Sequence, residues 1–354
     1  MDNLKYLSDD MICYGESMAL RTRHVRAVTE MLEDIVKEYK LEVPKRERDW
    51  RTYEQRLMVR IRGAIKELEP LVDEATGSIT ALKAQRRGRK PELTIKQKTI
   101  LLLLKRLFDR SNREMSTQLI AFSMLTGIDV SYKTVERLYS DEEVLLALQN
   151  LHALILRKKR VVDPDCSGDG TGYSLTVRKH YATEAQKLKD KVKSAERSSG
   201  KKGKMGFVYS FALMDLDTRM YIGYGSSFRS ERDAFLKAVE MAKAAGVSSV
   251  RLDQYFSGQS CVELFKKEFG DVTMYLIPKR NATVRGSWGW KQMLKRFVED
   301  PKGYLREYYR RNQSESGISE DKRRFGWRIV QKREDRANTA AFCAALWHNL
   351  FWLN

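Results

Sequence analysis

At Val161 the hydrophobic periodicity of this chain changes, and that change restricts the folds open to it. Before this point apolar residues recur at helical spacing: Val28, Met31 and Ile35 within Ala27–Tyr39, then Tyr53, Leu57, Ile61 and Ile65 within Trp50–Leu68. Pro44 and Pro70 are expected to punctuate these helices. Beyond it lie short strand-like runs, Cys166–Val177, Phe207–Met214, Met220–Tyr224, Val247–Leu252 and Val272–Ile277, with Asp215-Leu216-Asp217-Thr218 as a hairpin turn between the second and third. Helices are expected over Ser230–Ala245, Ser257–Phe269, most of Gly286–Trp327, and Glu334–Trp352. A hairpin followed by alternating helices and strands predicts an α/β fold, a mixed sheet with helices on its faces, preceded by an all-α region.

This reading divides the chain into a helical N-terminal region (1–85), a basic linker (86–92), a helical domain (93–159) and an α/β domain (160–354). In the linker, Arg86-Arg87-Gly88-Arg89-Lys90-Pro91 is similar to an AT-hook core, in which Arg87 and Arg89 would enter a minor groove. A plain basic linker is the other reading. Thr94, Ser111 and Ser131 are placed to cap three successive helices, and Gly127 to end the second. The turn Gly127-Ile128-Asp129-Val130 suits a helix-turn-helix whose last helix presents Lys133, Thr134 and Arg137 outward, with Val135 and Leu138 inward. Gln85–Arg113 holds ten Lys and Arg against two acids, which favours DNA contact. Arg178–Lys204, rich in Lys, Ser and Gly, reads as an exposed basic loop.

Charge narrows the partner. The 354 residues include 66 Lys and Arg against 47 Asp and Glu, a net charge of +19. Such an excess fits a polyanion. No apolar run reaches the ~18 residues of a spanning helix, and Met1–Leu20 lacks an apolar signal core, so no membrane is expected. Four cysteines lie far apart without a CxxC pair, which argues against structural zinc and a disulfide framework and points to a reducing cytoplasm. The four histidines are not at metal-ligand spacing.

Three acids stand where a sheet-based site would want them. Asp169 lies in Ser167-Gly168-Asp169-Gly170-Thr171-Gly172, where the flanking glycines would admit a backbone or a phosphate. Asp253 follows the fourth strand run, at the edge where open α/β sheets place ligands. Glu315 belongs to a Tyr308, Arg311, Glu315, Lys322 series. On one continuous helix the last three fall at about 300°, 340° and 320° from Tyr308. The stripe then carries an aromatic, two cations and one carboxylate. Asp215 and Asp217 read as turn formers, Asp321 as solvated, and Gly317 as a helix weakness of about 1 kcal/mol that marks a kink. Clustered carboxylates would need a cation, and Mg²⁺ prefers such oxygens. Trp288 and Trp290, flanked by Arg285 and Lys291, could stack on an unpaired base or pack in a core. Lys279, Arg280 and Arg285 would line a DNA path. In the last helix, His348 reads as a packed residue.

The Y-(2)-R-(3)-E-(6)-K spacing, with Asp169-Gly170-Thr171 and Asp253 ahead of it, resembles the DDE transposases of prokaryotic insertion sequences. Ile277-Pro278-Lys279-Arg280-Asn281-Ala282 and Lys322-Arg323-Arg324-Phe325-Gly326 are also similar to that group, and the likeness covers roughly residues 160–354. The resemblance implies a ribonuclease H-like catalytic domain in which Asp169, Asp253 and Glu315 hold two Mg²⁺ ions, with Mn²⁺ as a substitute. It implies that Tyr308, Arg311 and Lys322 grip double-stranded DNA at the transposon end, that target DNA is a second partner, and that a homodimer pairs two ends in the cytoplasm at the nucleoid. The chain departs from the pattern at Leu252-Asp253-Gln254-Tyr255, where small residues are commoner, and its Asp253–Glu315 interval leaves no room for a large inserted β-domain. Two other classes stay open: a metal-dependent nuclease of the same fold without strand transfer, and a non-catalytic DNA-binding protein derived from a transposase.

Overall fold

A computed structural model describes residues 19–42, 49–82, 93–126, 130–175, 207–331 and 333–353. In chain order these form α1 (Thr22–Glu30), α2 (Leu32–Glu42), α3 (Trp50–Leu82), α4 (Ile95–Leu107), α5 (Asn112–Thr126), α6 (Tyr132–Arg137), α7 (Glu142–Lys158), β1 (Asp165–Ser174), β2 (Phe207–Asp215) and β3 (Tyr221–Ser227). There follow α8 (Glu231–Ala242), β4 (Ser249–Arg251), α9 (Gln259–Phe269), β5 (Thr273–Tyr275), α10 (Trp288–Glu299), α11 (Pro301–Tyr308), α12 (Asn312–Phe325) and α13 (Glu334–Trp352). Contacts divide the chain into two compact units, Arg46–Arg251 with Arg310–Asn354, and Met1–Lys45 with Leu252–Tyr309. The units interleave along the sequence rather than follow one another. Among the described residues no helix is long and apolar enough to cross a membrane.

In the larger unit, β3, β2, β1 and β4 lie side by side in that order. The β1–β2 and β2–β3 pairs are antiparallel and β1–β4 is parallel, so the sheet is mixed, as the sequence pattern predicts. The hairpin turn forms around Asp215, whose carboxylate accepts from the amides of Asp217 and Thr218 at 3.2 and 3.1 Å. α8 covers one face. It lies so close that a Cβ on Gly223 or Gly225 would fall 2.1 or 2.0 Å from a backbone carbonyl of Ala238 or Ala234. α12 and α13 cover the other face, where Tyr221, Tyr224 and Ser226 point.

α13 is the hub of this unit. Its residues Leu346, Trp347, Leu350 and Phe351 are buried, and it packs on β3, α3, α4 and α7. The Trp347 indole N–H donates to the Leu103 carbonyl at 2.8 Å, so the aromatic burial leaves no orphan donor. Helices α3, α4 and α7, which precede Val161, and the sheet that follows it therefore share one core. α3 corrects the sequence reading, because it runs through Pro70 without ending. An interior proline costs about 3 kcal/mol. Burial of Leu68, Leu71, Val72 and Ala75 beside it offsets that, at about 1.5–3 kcal/mol for each large side chain.

Local signals fare well. Thr94 and Gln97 form a reciprocal capping box, as do Ser111 and Glu114, and Ser131 and Ser230 cap their helices through the amides of Thr134 and Asp233. In the smaller unit, α1 and α2 pack on α10 and α11. Tyr39 stacks on Tyr309 at 5.2 Å, and the Lys302 amine bridges Glu38 and Glu42 at 2.9 and 3.2 Å. The Tyr304 hydroxyl both accepts from the Leu276 amide and donates to its carbonyl, which fixes the segment after β5 to α11.

Candidate functional site

Asp169 occupies the middle of β1, opposite Ala212, with its side chain half-buried. A Cβ on Gly170 would fall 1.7 Å from Glu231 Oε1 at the start of α8, so a larger residue there would have to displace that carboxylate. Lys322, near the end of α12, shares the electrostatic environment of Asp169. Burial drives the Lys322 amine down to about 8, and the Asp169 charge opposes that fall. The amine lies 5.5 Å from the Tyr173 ring centre and 4.8 Å from that of Trp327, an aromatic surround for a cation only 4 % exposed.

Glu315 sits in the first turn of α12, exposed, with Arg311 Nη2 2.5 Å from its Oε1. The single stripe expected for Tyr308, Arg311, Glu315 and Lys322 is interrupted. Tyr308 ends α11, and Tyr309–Arg311 form a 3₁₀ turn before α12 begins. That turn advances about 120° per residue instead of 100°, so the helical angles hold only for Arg311, Glu315 and Lys322. α12 itself continues through Gly317, so the expected kink lies upstream of it. Tyr308 is buried, edge-on to Tyr309 at 5.5 Å.

Asp253 caps the 3₁₀ turn Gln254–Phe256, accepting from the Tyr255 amide at 3.1 Å, and is half-buried. It lies two residues beyond Arg251, the last residue of β4, and Asp169 lies two beyond Ser167, the β1 partner of Arg251. The three acids offer only hard oxygen donors, which is the chemistry Mg²⁺ selects. Among the described residues, however, no group of three or more His, Cys, Asp or Glu side chains is gathered closely enough to hold a metal ion.

Basic side chains cluster in both units. In the smaller one, Lys279, Arg280 and Arg285 are exposed, with Arg280 3.5 Å from Glu33. Arg285 and Trp288 line a groove of about 540 Å³ together with Lys291, Gln292 and Lys295. The two tryptophans of this segment part company. Trp288 is 70 % exposed, whereas Trp290 is 6 % exposed and donates its indole N–H to the Thr283 carbonyl at 2.8 Å. In the larger unit, Lys133 and Arg137 are exposed on α6 while Val135 and Leu138 are buried, the orientation the sequence predicts. Beside α6 a cleft of about 340 Å³ carries Arg113, Arg333 and Arg336. Arg113 lies over the Tyr132 ring at 5.2 Å, and Arg336 pairs with Glu136. Arg87, Arg89, the turn at 127–129 and the basic loop expected at 178–204 lie outside the described residues.

One polar cluster escaped sequence reasoning. Asp321, expected in solvent, is 5 % exposed. Its Oδ2 accepts from the Tyr221 hydroxyl at 2.7 Å, and its Oδ1 lies 2.9 Å from His348 Nδ1. The available signal was its place on the buried stripe of α12, four residues after Gly317 and four before Phe325. His348 is fully buried, in keeping with its reading as a packed residue.

The chain is 43 % identical over 331 residues to a probable transposase for insertion sequence element ISA1214 from Archaeoglobus fulgidus. The match covers 93 % of this chain and 95 % of that relative. No family model and no solved structure matches.

Proposed function

The chain belongs to the transposases of insertion sequence elements, and on that premise we propose that it binds the ends of its own element and cuts and rejoins DNA by in-line phosphoryl transfer on a ribonuclease H-like domain. The observation that carries the reading is the buried Lys322 amine, set among aromatic rings and within the field of the Asp169 charge, which lies on a strand against which the helix bearing Glu315 packs. A carboxylate and a desolvated cation together suit a substrate that brings its own negative charge.

Asp169, Asp253 and Glu315 would hold the divalent ions, Mg²⁺ or Mn²⁺, which supply charge neutralisation to the attacking and leaving oxygens. Arg311 offers a planar fork to a phosphate and steadies Glu315, and Lys322 offers a point charge. The exposed Lys279, Arg280 and Arg285 extend the grip on the DNA end, and Trp288 is the exposed aromatic available to an unpaired base, whereas Tyr308, expected to share that grip, is buried against Tyr309. Trp290 serves that segment as a core anchor. Lys133 and Arg137 would read the end sequence from α6. Two copies would pair the two ends, and the work would be done in the cytoplasm at the nucleoid.

The test is end cleavage and strand transfer on an oligonucleotide carrying the terminal repeat. Asp169→Asn, Asp253→Asn and Glu315→Gln are each expected to lower cleavage about 10²–10³-fold or more while end binding persists. Undiminished cleavage in any of the three removes that acid from the site. Cleavage without joining of a pre-cut end points to a metal-dependent nuclease.

A further inference from the structure

α12 carries Glu315 at one end and Lys322 at the other, so the position of this helix on the sheet sets both groups. Part of what holds it there is tolerant, although outside the Asp321 cluster the Glu320 carboxylate also accepts from the Tyr53 hydroxyl of α3 at 3.1 Å. Ile318 and Phe325 are apolar contacts, and Gly317 offers a flat patch on which a Cβ would meet Met214 Sδ and His348 Cε1 at 3.3 Å. Apolar surfaces allow sliding, because the attraction is non-directional. A slip of one residue would move each side chain about 1.5 Å along the axis and turn it by about 100°.

Asp321 does not tolerate that slip. Its two oxygens are held by donors on two different elements, the Tyr221 hydroxyl on β3 at 2.7 Å and His348 Nδ1 on α13 at 2.9 Å. Each donor is itself fixed. The second ring nitrogen of His348 is 2.8 Å from the Arg219 carbonyl, and the imidazole stacks on the Tyr221 ring at 3.9 Å. The Tyr221 backbone is clamped by Asn349, whose side chain accepts from its amide at 2.7 Å and donates to its carbonyl at 2.9 Å, with His152 Nε2 at 2.9 Å from the same oxygen. A polar network this deeply buried stabilises little over an apolar replacement, and its best-attested use is to select one packing register. Lys322 is the next residue along the helix, about 100° around, so what fixes Asp321 also aims Lys322 at β1.

We propose that Tyr221, Asp321 and His348 form a register clamp for α12, and that Asp321 and His348 are positioning residues for strand cleavage. None of the three needs to touch DNA. The clamp links the C-terminal helix and the β-hairpin to the group that meets the phosphate. The activity half of the proposal rests on the transposase reading above; the structural half does not.

The experiment uses the full chain and compares Tyr221→Phe, Asp321→Asn and His348→Asn with wild type. Tyr221→Phe removes one hydroxyl and keeps the ring stack. It is expected to slow end cleavage about 10- to 100-fold, the usual cost of losing a group that orients a reacting residue, with the Kd for the end unchanged and melting lowered only modestly by the one carboxylate oxygen left without its donor. Hydrogen exchange should quicken at the α12 amides and not in α7 or α8. Asp321→Asn should act in the same direction and more strongly. His348→Asn places an amide N–H near the Nδ1 position and should recover most of the rate, whereas His348→Gln, whose amide reaches the Nε2 position instead, should not. Normal cleavage with normal α12 exchange in Tyr221→Phe overturns the clamp. So does a loss of cleavage, binding and melting together, which would mark general loosening. If the wild type itself fails to cut, the transposase reading is what falls, and the exchange arm still decides the clamp.

Discussion

Lys105 on α4 and Lys322 on α12 are both 4 % exposed, and burial brings both amines down to about 8. What surrounds them differs. Lys105 donates to the Tyr139 hydroxyl at 2.6 Å, and Thr339 of α13 holds the Tyr139 carbonyl at 2.8 Å, so this amine is a strut between α4, the 3₁₀ turn Leu138–Ser140 and α13. Its neighbour Arg106 lowers it further. Lys322 is flanked by aromatic faces and sustained by the Asp169 charge. Equal burial therefore serves two ends. One lysine is satisfied by a neutral hydroxyl and completes a core. The other has aromatic faces and the Asp169 charge about it.

The sharpest way to break this comparison is to remove each amine. Lys322→Met is expected to lower end cleavage about 10²–10³-fold per folded molecule, the usual cost of losing one electrostatic contact to a developing charge. Lys105→Met should leave that rate within a few-fold of wild type, since nothing places its amine near the carboxylates. Rates measured on matched folded fractions decide it. Equal losses would show that depth alone, not the surroundings of the amine, governs both.

Stability against pH sharpens the comparison from the other side. A lysine whose folded value is about 8 and whose unfolded value is 10.5 binds fewer protons in the fold over the interval between them. The unfolded chain then holds more protons, so stability rises with pH through that interval. Above about 10 the buried tyrosines reverse the trend, because unfolded tyrosines ionise there while Tyr224 is held up to about 12 by burial. The larger unit should thus gain resistance to urea from about pH 8 upward and be most resistant near pH 10. Lys322→Met should gain about 3 kcal/mol at pH 7 and lose most of that advantage by pH 10. Lys105→Met should gain less, since it removes a hydrogen-bond partner of the buried Tyr139 hydroxyl. A Lys322→Met variant no more stable than wild type at pH 7 would mean that the aromatic surround offsets the burial cost.

The sequence displayed what local chemistry decides and hid what distant packing decides. Thr94, Ser111, Ser131 and Ser230 were legible as caps because a cap needs only the next three residues. The five strands were legible because alternation and turn residues are local as well. Pro70 misled, since its penalty is local while the burial that outweighs it comes from α7 and α13. The break at Tyr309–Arg311 was invisible, because Tyr and Arg are acceptable helix residues and nothing nearby signals a stop. Asp321 was read from its charge and its neighbour Lys322, whereas its burial depends on His348, 27 residues on, and Tyr221, 100 residues back. The interleaving of the two units depends on contacts of the same long range.

The tryptophans of α10 repeat the lysine comparison in the smaller unit, with a smaller effect at stake. Trp290 has its N–H committed to Thr283 and its ring in the core, while Trp288 stands 70 % exposed in a groove with Arg285, Lys291 and Lys295. If Trp288 stacks on a base, Trp288→Ala should weaken binding to a transposon end carrying an unpaired nucleotide by about 1–3 kcal/mol, and binding to fully paired ends much less. Lys291→Gln and Lys295→Gln should instead weaken both substrates alike and each reduce the steepness of the salt dependence by about 1. Trp290→Ala should act through folding, lowering the melting temperature without separating the two substrates. Fluorescence anisotropy over a salt series, with paired and unpaired ends in parallel, reads all three. A Trp288→Ala variant that loses nothing on the unpaired end would leave the groove as a phosphate track alone and would assign its aromatic to no contact with DNA.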